Sequence, residues 1–139
     1  MNDPILADTG AIVALIDQRD QHHLWARASF RALSARLLTC DAVISESFHL
    51  LRKAPNGRET LREFLRLGVL KSNFDLTTEL SALLALLKKY HDTSMDFADA
   101  CLVRMSDTIP DCVVWTIDSD FRIYRRNNRR IIPVLAPWS

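Results

Sequence analysis

Residues 95–106 read MDFADACLVRMS, a segment in which two carboxylates open an otherwise mostly apolar run. The residues from Phe97 to Met105 are good helix formers, and in a helix Asp96 and Asp99 lie three positions apart on one face. Because little polar surface remains on such a helix, we expect it to be buried on several sides. A buried carboxylate must be paired, hydrogen-bonded or bound to a cation, or its pKa rises until it is neutral. Asp99 therefore needs a partner elsewhere in the chain.

The composition is that of an ordinary globular domain. The chain has 139 residues, of which 48% are apolar and 25% are charged, and its formal net charge is +1. These values predict a single domain over residues 1–139, without the overall basic field that alone identifies a nucleic-acid binder. Any binding of nucleic acid must then come from local clusters of basic residues.

The location is predicted from what the sequence lacks. The apolar runs are far shorter than the ~20 residues that cross a bilayer, and the first residues show no signal-peptide pattern. The three cysteines form no Cys-x-x-Cys pair and lie in apolar surroundings, as reduced core residues of cytosolic proteins do. We therefore expect a cytoplasmic protein with no membrane contact.

Strand and helix patterns alternate along the chain. Strands are expected at residues 4–7, 37–40, 69–74, 112–116 and 131–135, and helices at 11–16, 20–35, 42–53, 58–67, 77–90, 96–109 and 121–126. A tight turn at Asp8–Gly10 is expected after the first strand, and Thr77 is expected to cap the leucine-rich helix. This alternation predicts a three-layer α/β/α sandwich with a mostly parallel central sheet.

Acidic residues follow the predicted strands or open the predicted helices. In parallel α/β folds, strand carboxyl ends and helix N-termini share one edge of the sheet, which is where open sheets bind ligands. Six acids fall at this edge: Asp8, Glu46, Asp96, Asp99, Asp118 and Asp120. The pattern predicts that carboxylates distant in sequence lie close together.

Two explanations of these acids remain open. Asp is a favourable N-cap and Glu in a first turn is favoured by the helix dipole, so each acid alone is explained by capping. Asp99, inside an apolar helix, and Glu46, between Ile44 and Phe48, fit capping less well. Clustered carboxylates raise one another's pKa unless a hard cation neutralises them, and oxygen-only ligands suit Mg²⁺ or Mn²⁺. Such a cluster can activate water for phosphodiester hydrolysis.

Other catalytic patterns are missing from the sequence. It contains no Gly-rich phosphate loop, no G-x-S-x-G, no H-E-x-x-H and no G-x-G-x-x-G, and its four histidines are scattered. Arg104, on the Asp99 helix, is a candidate partner for one of the acids.

A basic segment lies near the end of the chain. Its arginines are Arg122, Arg125, Arg126, Arg129 and Arg130, with Tyr124 among them. These arginines can hold phosphates while Tyr124 stacks on a base, or they can form an ordinary solvated surface. The sequence favours neither.

Four groups of residues, in their order and spacing, make the chain resemble the PIN-domain proteins, in particular the VapC-like toxins of bacterial toxin–antitoxin pairs. The groups are Asp8-Thr9-Gly10, Ser45-Glu46, Asp96-Phe97-Ala98-Asp99-Ala100 and Thr116-Ile117-Asp118-Ser119-Asp120-Phe121. The resemblance implies that the catalytic and metal-binding acids are Asp8, Glu46, Asp99 and Asp118. It also implies auxiliary roles for Thr9, Asp96, Thr116 and Asp120.

The same resemblance implies an activity and partners. The expected activity is an Mg²⁺- or Mn²⁺-dependent endoribonuclease acting on RNA, inhibited by a cognate antitoxin, with the chain as a homodimer. Apolar faces within residues 11–33 and 58–67 can form a groove for the antitoxin or a second copy, although core packing is their commoner use. The alternatives are a PIN-type RNA-processing nuclease without an antitoxin and a PIN-like binding module without catalysis.

Overall fold

The computed structural model describes residues 3–33 and 36–139. Its strands are β1 (Ile5–Ala7), β2 (Leu37–Thr39), β3 (Leu70–Ser72), β4 (Val113–Trp115), β5 (Arg125–Arg126), β6 (Arg130–Ile131) and β7 (Val134–Leu135). Five of them form a central sheet in the order β3-β2-β1-β4-β7, and every pairing in it is parallel. Strands β5 and β6 form a separate antiparallel hairpin.

Helices flank this sheet. They are α1 (Thr9–Ile16), α2 (His23–Ala32), α3 (Asp41–Leu50), α4 (Gly57–Arg66), α5 (Leu76–Lys89) and α6 (Phe97–Thr108). Helices α1, α2 and α4 pack around one another, α5 packs on α6, and α6 contacts β1 and β4. The predicted α/β/α architecture with a parallel sheet is confirmed. No helix within the described ranges is long and apolar enough to cross a membrane.

The apolar sequence of α6 reflects its central position. Its residues 98–103, together with Met105 and Ser106, are buried, and they share one hydrophobic core with β1 and β4. Strand burial explains the other apolar runs, since parallel strands are covered on both faces and therefore lack an alternating polar pattern. The burial of α6 is what carries Asp99 into the interior.

Strand β1 is the topological switch point of the sheet. From β1 the chain adds β2 and β3 on one side, and later β4 and β7 on the other. A crevice forms where the connections leave neighbouring strands in opposite directions, outside their carboxyl ends. The segments that follow β1 and β4 therefore border this crevice.

Two predicted helix starts are wrong. Gly10 is not in a turn, because α1 already begins at Thr9 with Asp8 as its N-cap. Asp75, not Thr77, caps α5: the Asp75 carboxylate accepts the Thr77 N–H at 3.1 Å and the Thr78 hydroxyl at 2.8 Å. A carboxylate that accepts two such bonds satisfies the helix end better than one hydroxyl does.

Several predicted boundaries also change. The segment predicted as a helix at 121–126 is a 3₁₀ helix (Ser119–Arg122) followed by β5, and the predicted strand at 131–135 is divided between β6 and β7. Pro133 lies between these two strands and lacks the N–H that a continuous ladder needs. Helix α3 ends at Leu50, three residues early, and the predicted end of α2 at 34–35 lies outside the described residues.

Candidate active site

Asp8 is fixed at the carboxyl end of β1. Its backbone N–H donates to the Trp115 carbonyl at 3.0 Å, which continues the pairing of β1 with β4. Its Oδ1 accepts the Thr9 N–H at 2.8 Å as the cap of α1, and its Oδ2 accepts the Thr116 hydroxyl at 2.6 Å. The residue is only 6% exposed. The fold therefore holds this carboxylate in one orientation.

Burial makes ionisation of Asp8 costly. It raises the pKa of Asp8 to about 6, against the lowering effect of the hydrogen bonds from Thr116 and Thr9. The nearby carboxylates of Asp118 and Asp96 raise the pKa of Asp8 further. Carboxylates that destabilise one another's ionised forms favour a cation between them.

Asp99 and Asp96 form a reciprocal cap on α6. The Asp96 carboxylate accepts the Asp99 N–H at 2.8 Å, and the Asp99 Oδ2 accepts the Asp96 N–H at 3.3 Å. The expectation that Asp99 lies too deep in the helix to take part in capping is wrong, because α6 begins only at Phe97 and Asp99 is its third residue. Asp96 is the N-cap, as its position at the start of the segment predicted.

Asp99 differs from an ordinary capping residue in its burial, at 6% exposure. Burial, then the carboxylates of Asp96 and Asp8, raise the pKa of Asp99 to about 7. Its Oδ2 accepts a second hydrogen bond, from the Tyr124 hydroxyl at 3.1 Å. The cap alone does not require a buried, doubly bonded carboxylate.

Tyr124 is a buried hydrogen-bond donor to Asp99 and not a base-stacking residue. Its side chain is fully buried, and its ring packs edge-on against Tyr90 and Phe121, with centroids 5.2 Å away in each case. Burial and the neighbouring Asp99 carboxylate raise the pKa of Tyr124, so its hydroxyl remains a donor. The expectation that Tyr124 stacks on RNA is therefore wrong.

Thr116 links Asp8 to Asp118. Its hydroxyl donates to Asp8 and accepts the Asp118 N–H at 2.9 Å. The Asp118 Oδ1 in turn accepts the Asp120 N–H at 2.9 Å as the cap of the 3₁₀ helix. Burial raises the pKa of Asp118, and the carboxylates of Asp120 and Asp96 add to this. One buried hydroxyl thus sets the spacing of two acids.

Gly10 allows the Asp8 and Asp118 segments to approach each other. A Cβ at Gly10 would lie 2.6 Å from Cγ1 and 2.8 Å from Cδ1 of Ile117, closer than real Cβ contacts. Ile117 lies between Thr116 and Asp118 in sequence. The glycine is required for this close approach, not for a turn.

Glu46 is placed differently from the other predicted acids. It is exposed on α3, and in the described part of the chain it makes no hydrogen bond or ion pair with Asp8, Asp99 or Asp118. The structure brings together five acids: Asp8, Asp96, Asp99, Asp118 and Asp120. Across residues 3–33 and 36–139, no three acidic, histidine or cysteine side chains converge into a ready-made cation site.

The donor set nevertheless fits a hard divalent cation. Each Asp8 oxygen accepts one hydrogen bond and retains a second lone pair, and Asp99 uses only its Oδ2. The Thr9 hydroxyl beside Asp8 is buried and has no hydrogen-bond partner in the described ranges. Free carboxylate lone pairs, raised pKa values and an oxygen without a partner are chemistry that Mg²⁺ or Mn²⁺ satisfies.

In the basic segment, Arg122 lies next to this edge because it ends the 3₁₀ helix that Asp118 caps. The β5–β6 hairpin lies toward the C-terminal end of α6, where the Asn127 N–H donates to the Asp107 carboxylate at 2.7 Å. Arg122, Arg129 and Arg130 are exposed, whereas Arg125 and Arg126 are half-buried. Arg125 donates to the carbonyls of three preceding residues, and Arg126 donates to the Ile109 carbonyl at 3.3 Å. None of the five forms an ion pair with a carboxylate in the part of the chain described.

Arg104 pairs away from the site. Its guanidinium contacts Glu79 on α5 and Asp107 on its own helix. The expectation that it neutralises one of the clustered acids is therefore wrong: α5 supplies a closer carboxylate on the opposite side of α6. Arg104 therefore does not neutralise the cluster.

Sequence reasoning missed Trp138. The Arg122 guanidinium lies over its indole, 5.2 Å from the ring centroid, and the indole is 38% exposed. A signal was available: Trp138 follows the last predicted strand, as Asp8 and Asp118 follow theirs. An aromatic residue three positions beyond a parallel strand belongs to the same edge of the sheet.

Comparison with known proteins identifies related sequences and folds. The family model described as "PIN domain" matches residues 5–127. The structure is similar to that of VapC20 from Mycobacterium tuberculosis, described as a sarcin–ricin loop cleaving toxin, with a TM-score of 0.73 and 20% identity over 91% of this chain and 98% of that one. No curated protein sequence matches the chain.

Two further solved structures share the fold. FitAcB from Neisseria gonorrhoeae matches with a TM-score of 0.57 and 18% identity over 96% of this chain and 98% of that one. FitAB bound to an IR36 DNA fragment matches with a TM-score of 0.57 and 19% identity over 97% and 96%. At these identities the likeness establishes the fold.

Proposed function

Because the chain belongs to the PIN domain family, we propose that it is an Mg²⁺- or Mn²⁺-dependent endoribonuclease and the toxin of a toxin–antitoxin pair. One observation carries the proposal. At the switch point of the sheet, the Asp118 carboxylate raises the pKa of Asp8, the Asp8 carboxylate raises the pKa of Asp99, and the Asp96 carboxylate raises the pKa of all three. Helix capping requires neither that mutual proximity nor the burial of two of the three.

Asp8, Asp99, Asp118 and Glu46 are the residues that we propose to hold the cation. When bound, the ion supplies charge neutralisation at the scissile phosphate and a more acidic attacking water. Glu46 is exposed on α3 and, within the described residues, makes no hydrogen bond or ion pair with the other acids, so we expect it to contribute less to the affinity than the two buried aspartates.

The neighbouring residues orient these acids. The Thr116 hydroxyl fixes Asp8 and Asp118 relative to each other, and the Tyr124 hydroxyl fixes Asp99. Asp96 and Asp120 add negative charge to the cluster, and Thr9 offers a buried hydroxyl. Partners of this kind determine ligand orientation and commonly change metal affinity or activity by about 10- to 100-fold.

RNA is proposed as the substrate on two grounds. VapC20, which shares the fold, is described as a toxin that cleaves the sarcin–ricin loop. In this chain, exposed Arg122 is four residues from Asp118, and exposed Arg129 and Arg130 add positive charge farther from the carboxylate edge; none of the three has an acidic partner in the described ranges. Such arginines attract a polyanion to an acidic site that would otherwise repel it.

The test is metal-dependent cleavage by the purified protein. Wild type should cleave RNA with MgCl₂ or MnCl₂ and lose activity in EDTA, and Asp8→Asn should reduce kcat on the order of 10²–10³-fold. Asp92→Asn is the matched control, because Asp92 is an exposed acid away from the cluster. Undiminished Mg²⁺-dependent cleavage by a pure Asp8→Asn sample rejects the proposal.

A binding module without catalysis is the alternative that the structure also supports. Asp8, Asp96 and Asp118 each accept a backbone N–H at the start of a helix, so each has a complete capping role. A capping-only set binds no divalent cation. Thermal unfolding with and without MnCl₂ separates the two, since a ligand present at 100 times its Kd stabilises the native state by about 2.7 kcal/mol.

The partners are also part of the proposal. On the face built by α1, α2 and α4, Leu24 is 77% exposed and Leu67 is 64% exposed, and we propose this face for the antitoxin. We further propose a homodimer, supported by the exposed leucines 76, 80 and 84 along one side of α5. Sedimentation of wild type and Leu80→Glu, alone and with the product of an adjacent reading frame, tests both.

We propose that residues 1–139 act as one domain in the cytoplasm. The described residues share one continuous hydrophobic core, and all three cysteines are buried and unpaired in disulfides. Cooperative unfolding in a single transition tests the domain assignment.

A further inference from the structure

Trp138 is held next to the carboxylate edge of the sheet. The β4–β7 pairing continues past the strands through the Thr116 N–H, which donates to the Leu135 carbonyl at 3.1 Å. Beyond this bond, the segment after β4 leads to Asp118 and the segment after β7 leads to Trp138. The two segments therefore leave neighbouring parallel strands on the same side.

The backbone around Trp138 is tied in place. The Ser139 hydroxyl donates to the Ala136 carbonyl at 2.7 Å and accepts the Ala136 N–H at 3.0 Å, while the Ser139 N–H donates to the same carbonyl at 3.0 Å. Ala136 is itself buried. The indole is thus carried on an ordered turn, which reduces the entropy lost when a ligand stacks on it.

Arg122 connects this indole to the site. It ends the 3₁₀ helix that Asp118 caps, and its guanidinium lies over the Trp138 ring at 5.2 Å. Arg122 has no carboxylate partner in the described ranges and is exposed. A flat cation and a flat aromatic ring, both partly exposed, are therefore held together, and Arg122 is four residues from Asp118, a proposed metal ligand.

We propose that Trp138 and Arg122 form a stacking platform for one unpaired base of the RNA substrate. The inference rests on the proposed function and deepens it by naming the residues of this chain that would hold one nucleotide of the RNA. Bases in a duplex are stacked on their neighbours and cannot lie on an indole, whereas an unpaired base stacks on aromatic or guanidinium planes. This platform takes the role that buried Tyr124 cannot.

The binding experiment is run without metal so that no RNA is cleaved. A labelled single-stranded RNA oligonucleotide is titrated in EDTA into wild type, Trp138→Ala, Trp138→Phe and Asp8→Asn. Base–aromatic stacking is worth about 1–3 kcal/mol, so Trp138→Ala should weaken binding about 5- to 150-fold. Trp138→Phe should retain most of the affinity, and Asp8→Asn should bind at least as tightly as wild type. An oligonucleotide with abasic sites should bind wild type and Trp138→Ala equally.

Two controls separate stacking from charge and folding. Arg31→Ala removes an exposed arginine from α2, near the opposite edge of the sheet, and should bind like wild type, whereas Arg122→Ala should weaken binding. Quenching of tryptophan fluorescence on RNA binding should be lost in Trp138→Phe, because Trp115 is buried and packs against Trp25.

The platform and the nuclease proposal fail in different ways. Equal RNA affinity of wild type and Trp138→Ala, no RNA binding by wild type, or an equal loss on abasic RNA overturns the platform even if the protein cleaves RNA. Trp138-dependent binding without metal-dependent cleavage preserves the platform and overturns the nuclease. If Trp138 instead contacts a second copy, Trp138→Ala changes the sedimentation coefficient and leaves RNA affinity unchanged, which also overturns the platform.

Discussion

The acidic cluster and the β5–β6 hairpin are built in opposite ways. Asp8 and Asp99 are buried and accept hydrogen bonds from fixed groups, so their positions follow from the packing of β1 and α6. Arg129 and Arg130 are exposed on the β5–β6 hairpin and have no acidic partner in the described ranges. We therefore propose that the buried acids carry the chemistry and that the exposed arginines attract RNA. Mutations in the two regions should therefore have different signatures.

The largest expected effect is a gain of stability when the acidic cluster is weakened. The pKa of Asp8 is raised in the folded protein, so the folded state binds the proton more tightly than the unfolded state. Without metal, the free energy of unfolding should therefore rise as the pH falls from about 7 to about 4.5. This gain should be lost when the pH is raised again and Asp8 ionises. Moving one pKa from 3.8 to about 6 corresponds to at most about 3 kcal/mol.

Asp8→Asn should reduce this pH dependence, leaving the part that Asp99 contributes, and should raise the free energy of unfolding at pH 8 in EDTA. Urea unfolding at several pH values measures it, with Asp92→Asn as the control that keeps the wild-type slope. Added MgCl₂ should stabilise wild type at pH 8 and leave Asp8→Asn unchanged. A wild-type stability that is independent of pH over this range contradicts the electrostatic description of the cluster.

The second effect concerns the contact that spaces Asp8 from Asp118. Gly10→Ala places a methyl group against Ile117, and overpacking of this kind costs about 1–3 kcal/mol, offset by up to about 1 kcal/mol of helix propensity. Cleavage should fall together with stability. The double variant with Ile117→Ala should recover part of both because it removes the clashing atoms. If Gly10→Ala alone retains full activity, the close approach does not position the acids.

The third effect distinguishes the role of Tyr124 in orienting Asp99 from the role of Asp99 in binding the cation. Tyr124→Phe removes the hydroxyl that lowers the pKa of Asp99, so this pKa should rise further. The acidic limb of the pH–rate profile should move to higher pH, with a loss of about 10-fold at neutral pH that diminishes at pH 8–9. A loss of activity that is the same at every pH indicates a packing defect instead.

The smallest effect is expected in the basic segment. Arg129→Ala and Arg130→Ala should each raise KM a few-fold, leave kcat unchanged and reduce the dependence of KM on salt, because each removes one proposed phosphate contact. Cleavage measured between 50 and 300 mM KCl checks this. If KM and its dependence on KCl concentration are both unchanged, these arginines belong to the ordinary protein surface and do not contact RNA.

The same contrast explains what the sequence predicted. The hydrophobic periodicity and the turn residues were enough to predict the parallel sheet. They also placed Asp8 and Asp118 at its carboxyl edge, because both acids closely follow apolar strands. The capping role of Asp99 depends on which residue begins α6, and a sequence pattern predicts the ends of a helix less accurately than its presence. The burial of Tyr124 depends on its contacts with Tyr90 and Phe121, which a linear pattern cannot show.

The remaining differences arise from contacts between distant segments. Gly10 was assigned to a turn because the proximity of Ile117 is a tertiary contact, and Trp138 was overlooked because no motif includes it. The sequence makes Arg104 a candidate partner of the clustered acids because it does not show which side of α6 faces α5. Side chains that depend on long-range packing are the part of the site that required the structure.

The central claim is that Asp8 and Asp99 share one divalent cation. Calorimetric titration of MnCl₂ into wild type, Asp8→Asn, Asp99→Asn and the double variant tests it most directly. Two ligands of one ion are coupled, so each single variant should lose most of the affinity and the double variant should lose little more. Mn²⁺ binding that is unchanged in both single variants, or losses that simply add, contradicts the claim.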